Sequence, residues 1–94
     1  MELAKFNIQN REFSAAHNNL IKALDQKPGS AEAYNLLGAV HEVMGDLASA
    51  SQAYQMAIKI DKSYKPALEN LKRITSLEGN TASFSELMST LIRD

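Results

Sequence analysis

The chain has 94 residues and a formal net charge of −1, with ten Lys and Arg against eleven Asp and Glu. That length allows one domain at most with a modest core, and near-neutral charge argues against a general polyanion binder, so no nucleic acid partner is expected. With no Cys, neither a disulfide framework nor a thiolate metal site can form. No apolar run reaches membrane-spanning length, and the start lacks the basic-then-apolar order of a secretion signal. The expectation is a cytoplasmic protein, or a piece of one, with no membrane contact.

Residues 1–10, MELAKFNIQN, predict a short helix with Leu3, Ala4, Phe6 and Ile8 apolar. It reads as a first helix without its opening turn, either cut from a longer chain or belonging to a short protein that starts there. Leu3 and Phe6 are then only partly covered, where a helical stack normally ends in a polar cap. Asn10-Arg11-Glu12 predicts a turn, with Asn10 taking the left-handed backbone. A second helix follows over Glu12 to Gln26, with Phe13, Ala16, Leu20, Ala23 and Leu24 as its buried stripe. Lys27-Pro28-Gly29-Ser30 breaks it.

Ala31 to Asp61 holds two apolar-periodic segments around Met44-Gly45-Asp46. Ser30 suits the N-cap of the first, with Glu32 in its opening turn at the positive end of the helix dipole. Gly45 ends that helix and Asp46 caps the next, whose packed side carries Ala50, Ala53 and Ala57. A fifth helix is expected to start near Ser63, its N-cap, with Pro66 in the first turn and Ala67, Leu68, Leu71, Ile74 and Leu77 as its apolar face. Gly79-Asn80 closes it. A last helix over Phe84 to Arg93 opens with a Ser83-x-x-Glu86 capping box. Its apolar row of Phe84, Leu87, Met88, Leu91 and Ile92 suits a terminal cap, or an edge that pairs with another copy.

The pattern Tyr34-x-x-Leu37-Gly38-x-x-His41, then Ala50-x-x-x-Tyr54, then Ala57, resembles one tetratricopeptide repeat (TPR), a unit of about 34 residues. Tyr34 stands for the family's Trp, His41 for its Tyr and Tyr54 for its Phe, with Lys62 where Pro is usual. One repeat upstream, Phe13, Ala16, Leu20 and Ala23 take the places of Leu47, Ala50, Tyr54 and Ala57, and Pro28 falls at the family's Pro. One repeat downstream, Leu68, Leu71, Gly79 and Leu91 match Tyr34, Leu37, Gly45 and Ala57. Phe84 replaces the packing Ala there, and Lys72 the Gly of the helix contact. The resemblance implies an all-α fold: a right-handed α-solenoid of antiparallel helix hairpins, about six helices in roughly three repeats. It also implies a single domain over 1–94, with a truncated first repeat (1–30), a second (31–64) and a degenerate third with a capping helix (65–94).

Such a fold implies a non-catalytic module that holds a peptide or protein segment on the concave face made by the first helix of each repeat. The family's groove offsets fall on Lys5, Ile8 and Gln9, then on Glu32, Asn35, Leu36, Ala39, Glu42 and Val43, then on Glu69, Asn70 and Arg73. Leu36 and Val43 fit core packing equally well. One TPR subgroup clamps the C-terminal carboxylate of heat-shock chaperones with Lys and Asn, then Asn, then Lys and Arg. Those places here hold Met1, Lys5, Leu36, Pro66 and Asn70, so that ligand is disfavoured. The rival expectation is an assembly element that forms a homo-oligomer through its exposed apolar terminal helices.

Nothing in the sequence suggests an enzyme, a cofactor or a metal. His41 sits at a packing position, His17 is expected to face solvent, and neither belongs to a ligand motif. The serines lack a strand-to-helix elbow, and the glycines are isolated. Lys59, Lys62, Lys65, Lys72 and Arg73 crowd the junction of the second and third units, interrupted by Asp61 and Glu69, which reads as a solvated rim.

Overall fold

Strong helix formers separated by short runs of turn residues give five helices over residues 1–77, the part of the chain that the computed structural model describes. They are α1 (Glu2–Gln9), α2 (Phe13–Gln26), α3 (Ala31–Val43), α4 (Leu47–Ile60) and α5 (Lys65–Leu77). No strand occurs among the described residues. The closure at Gly79-Asn80, the Ser83–Glu86 box and the final helix expected from the sequence lie outside them.

The two hairpin turns repeat each other bond for bond. At the end of α3 the Asp46 N–H donates to the His41 carbonyl at 2.9 Å, and the Gly45 N–H to that of Glu42 at 3.0 Å. One repeat earlier the Glu12 N–H donates to the Asn7 carbonyl at 2.8 Å, and the Arg11 N–H to that of Ile8 at 3.1 Å. Both sets satisfy the last carbonyls of a helix, and both need a left-handed residue just past its end. Gly45 takes that place with φ +86°, and Arg11 takes it with φ +59°. The expectation that Asn10 would be left-handed is therefore corrected: Asn10 keeps φ −93° and donates its side-chain amide to the Phe6 carbonyl at 3.2 Å. Distance from the helix end, rather than residue preference, decides which residue turns over.

Starts obey local capping chemistry. Ser30 Oγ accepts the Ala33 N–H at 3.1 Å, and Asp46 Oδ1 accepts the Ser49 N–H at 3.1 Å. α2 opens at Phe13, one residue later than its sequence suggests. Glu12 makes no cap bond there, and its carboxylate accepts the Asn7 amide at 3.2 Å instead. Ser63 does not cap α5, which starts at Lys65. Its N–H and hydroxyl both donate to Asp61 Oδ1, at 3.1 and 2.9 Å, so the carboxylate two residues back has captured it.

The apolar stripes meet in two clusters. Ala4, Ala16, Leu20, Ala33, Leu37, Val40 and Ala53 form one, where α1, α2 and α3 converge with Ala53 of α4 at its edge. Ala50, Tyr54, Ala57, Ile58, Ala67, Leu71 and Ile74 form the other, between α4 and α5, and half-buried Tyr34 touches both. Each large side chain buried here contributes about 1.5–3 kcal/mol relative to exposure. The alanines let helices approach, and Gly38 carries this furthest: the Tyr54 ring lies where a Cβ would stand. Asn7 is the one buried polar residue of α1. It is satisfied by Glu12 and by the Asn19 amide, which donates to its Oδ1 at 2.7 Å. The hairpins α1–α2 and α3–α4 and the single α5 thus stack in order, each second helix against the next first helix. Leu3 and Phe6 remain exposed, as the sequence predicts.

Candidate functional site

Stacking brings α1, α3 and α5 side by side, and their polar residues meet across the seams. Lys5 Nζ of α1 lies 2.9 Å from Glu32 Oε2 of α3 and 3.5 Å from Glu2 of its own helix. Between α3 and α5, the Asn70 amide donates to Asn35 Oδ1 at 2.9 Å. One turn further on, Arg73 grips Glu42 with both guanidinium nitrogens, Nη2 lying 2.9 Å from Oε1. Arg73 Nη2 also donates to Asn70 Oδ1 at 3.0 Å, which links the two seam contacts. Helical spacing explains the row: Asn35 and Glu42 stand two turns apart on α3, and Asn70 and Arg73 one turn apart on α5.

A residue that sequence reasoning missed completes this arrangement. The hydroxyl of Tyr54, a buried side chain of α4, donates to Glu42 Oε1 at 2.8 Å. Glu42 therefore carries the guanidinium on one side and the phenol on the other. The Arg73 hydrogen bonds hold its carboxyl below the usual carboxylate range against an opposing effect of burial, and the Tyr54 bond helps. Burial first, then Glu42, pushes the Tyr54 phenol well up, and Glu42 raises Arg73. Near neutrality the trio is a fixed carboxylate, guanidinium and neutral phenol. None of the three is poised to exchange a proton, so the arrangement positions rather than reacts. The Glu32 hydrogen bond likewise raises Lys5. Beside that pair, burial and then the Glu32 carboxylate raise the Tyr64 phenol, with Lys5 acting the other way.

Of the residues chosen from the sequence, Lys5, Glu32, Asn35, Glu42, Asn70 and Arg73 are brought into direct pairs. Gln9 and Glu69 are exposed, Ala39 is half-buried, and none of the three takes part in these pairs. Leu36 and Ile8 pack as half-buried residues against the first cluster, whereas Val43 is exposed. The Tyr54 contact left no local signal, because Glu42 and Tyr54 sit on different helices of one hairpin. The Lys5–Glu32 pair did leave one: opposite charges on the first helices of adjacent repeats.

His17 corrects another expectation. It is half-buried, with its ring 5.3 Å from that of His41 and edge-on at 74°, so α2 and α3 meet there through two imidazoles. Together with Met44 and Asp46 they line an open cleft. Among the described residues, no group of three or more His, Cys, Asp or Glu side chains is placed to hold a metal ion. No helix among them is long and apolar enough to cross a membrane.

The hairpin step, the Gly38–Tyr54 contact and the repeated turn make one pattern, and the family model of the tetratricopeptide repeat matches residues 31–64. Residues 31–64 are a TPR repeat. A curated relative, the heat shock protein STI1 of Saccharomyces cerevisiae, is 36% identical over 64 residues. That match covers 68% of this chain but 11% of STI1, so the chain corresponds to a small part of that relative. The match over 31–64 spans α3 and α4, the hairpin that holds Glu32, Asn35, Ala39 and Glu42.

Proposed function

We propose that this chain is a non-catalytic protein–protein interaction module, and that a peptide or protein segment lies along the face made by α1, α3 and α5. The observation that supports this reading is the row of cross-helix pairs, Lys5–Glu32, Asn35–Asn70 and Glu42–Arg73. These pairs lock three helices into one surface before any ligand arrives, which lowers the ordering cost of binding. The surface is of mixed charge with small Ala39 at its centre, which suits an amphipathic segment. A bare C-terminal carboxylate fits poorly. Lys5 is already neutralised by Glu32 and Arg73 by Glu42, and neither Leu36 nor Pro66 can donate a side-chain hydrogen bond. Likeness to a heat shock protein therefore carries over to the class of module and not to a carboxylate-clamp ligand.

The test begins by selecting binders from a displayed peptide library on the immobilised chain. Bound peptide is then mapped by amide chemical-shift changes in the labelled protein. The expected footprint includes Gln9, Ala39 and Glu69, and Ala39→Arg should abolish binding while leaving the helical spectrum unchanged. A footprint confined to the outer faces of α2 and α4, with Ala39→Arg binding normally, would refute the placement.

A further inference from the structure

The repeat step allows one surface position to be compared three times. Leu3, Leu37 and Leu71 occupy the same place in successive first helices, and so do Phe6, Val40 and Ile74. Their exposures diverge: Leu37 is 8% exposed and Leu71 0%, but Leu3 is 58% exposed. Val40 is 1% exposed and Ile74 0%, but Phe6 is 57% exposed. On α3 the row is buried in one cluster with Leu20 of α2, and half-buried Leu24 packs against it. On α5 it is buried in one cluster with Tyr54 and Ile58 of α4. In both clusters the row lies with the second helix of the preceding hairpin, through two apolar residues one turn apart, and on α3 with Ala53 of α4 as well. Among the described residues, no helix covers the row on α1.

The same register identifies an occupant. Leu20 and Tyr54 are followed one repeat later by Met88, and Leu24 and Ile58 by Ile92. In the sequence Met88 and Ile92 are the remaining pair of this kind, since Leu20 with Leu24 and Tyr54 with Ile58 already serve α3 and α5. We propose that the Leu3–Phe6 face of α1 receives residues 84–93 of a second copy of this chain, head to tail, as α3 receives α2 and α5 receives α4. Such a contact uses two different surfaces, so it does not end at a two-fold pair and extends the stack copy by copy. It lies on the stacking face of α1, apart from the cross-helix polar row, and does not depend on the proposed peptide groove.

Light scattering across a wide concentration range reads the association, which should raise the mean mass steadily with no plateau at two copies. Leu3→Glu with Phe6→Glu alters two exposed side chains, so helical content should hold while association weakens at least about tenfold, as loss of a central apolar anchor does. Because the chain has no Cys, crosslinking reports the geometry directly. Phe6→Cys and Ile92→Cys chains, mixed under mild oxidation, should join as a 6-to-92 pair, and Phe6→Cys alone should not dimerise efficiently. A wild-type chain that stays monomeric throughout would overturn the proposal. So would association that survives the double Glu variant, or a dominant 6-to-6 crosslink marking a symmetric pair.

Discussion

Gly38→Ala is the sharpest probe of the hairpin contact. A Cβ at Gly38 would lie 2.5 Å from Tyr54 Cε1, 2.6 Å from Cδ1 and 2.9 Å from Cζ. The ring has little room to move away, because Tyr54 is fully buried and its hydroxyl is tied to Glu42 at 2.8 Å. Overpacking of this kind costs about 1–3 kcal/mol. Ala is the better helix former by about 1 kcal/mol, which offsets part of that. The net expectation is a loss of up to about 2 kcal/mol, and a domain of this size loses roughly 4–8 °C in melting temperature per kcal/mol. The first repeat supplies a control, since Ala4 and Leu20 stand where Gly38 and Tyr54 stand in the second, both buried in one cluster. Tyr54→Leu alone should cost about 2–4 kcal/mol through lost volume and the abandoned Glu42 bond. Combined with Gly38→Ala it recreates the pair found in the first repeat. The double variant should be more stable than the sum of the single changes by about 1–2 kcal/mol. Thermal and urea denaturation followed by circular dichroism measure all three. If Gly38→Ala melts at or above wild type, or the two changes simply add, the close contact is not what holds this hairpin.

Arg11 occupies a backbone region that costs an L-residue about 1–2 kcal/mol, so Arg11→Gly should raise the melting temperature by several degrees. Gly45→Ala, at the matching position of the next repeat, should lower it. Ser30→Ala and Asp46→Ala each remove a cap bond and should each cost about 1 kcal/mol in denaturant titrations; no loss at either would mean that water replaces the side chain. Glu42 gives the protein an acid-sensitive component of stability. Its folded pKa lies below the unfolded value, near 4.3, so this component is present in full above that pH. It disappears as the pH falls through the folded value. Glu42→Gln keeps an acceptor for Tyr54 but no charge for Arg73, so its stability-against-pH curve should lack that part of the acid loss. An unchanged curve would show that the Arg73 pair contributes nothing to folding.

The legible parts of this fold are those that local chemistry decides without a competitor. Ser30 and Asp46 cap as their residue types suggest, because nothing nearby bids for either side chain. Ser63 had the same credentials and failed, since Asp61 two residues earlier accepts both its donors. At the first hairpin turn, residue preference pointed to Asn10, while the repeat step pointed to Arg11 through Gly45. The step prevailed because the carbonyls of Asn7 and Ile8 fix the left-handed position by counting from the helix end. Where preference and register disagree in a repeat protein, the hydrogen-bonded frame of the turn supports register. His17 went astray for a related reason: its own helix gave a face, but only the stack of α2 on α3 could bring it against His41.

The face made by α1, α3 and α5 shows the same division with consequences for experiment. That Asn35, Glu42, Asn70 and Arg73 share a surface could be read from spacing, but their pairing could not, because it spans separate helices. The pairing changes what a substitution tests. Glu42→Ala looks like a binding mutant from the sequence, yet it strips the buried Tyr54 hydroxyl of its acceptor and leaves Arg73 without its carboxylate. Loss of a partner by that variant would report on packing as much as on contact. Gln9, Ala39 and Glu69 take no part in the pairs, so changes there reach a ligand without first loosening the helices. Binding that tolerates changes at all three but fails at Glu42 would trace to the integrity of the α3–α5 seam, and the ligand would then lie elsewhere on the chain.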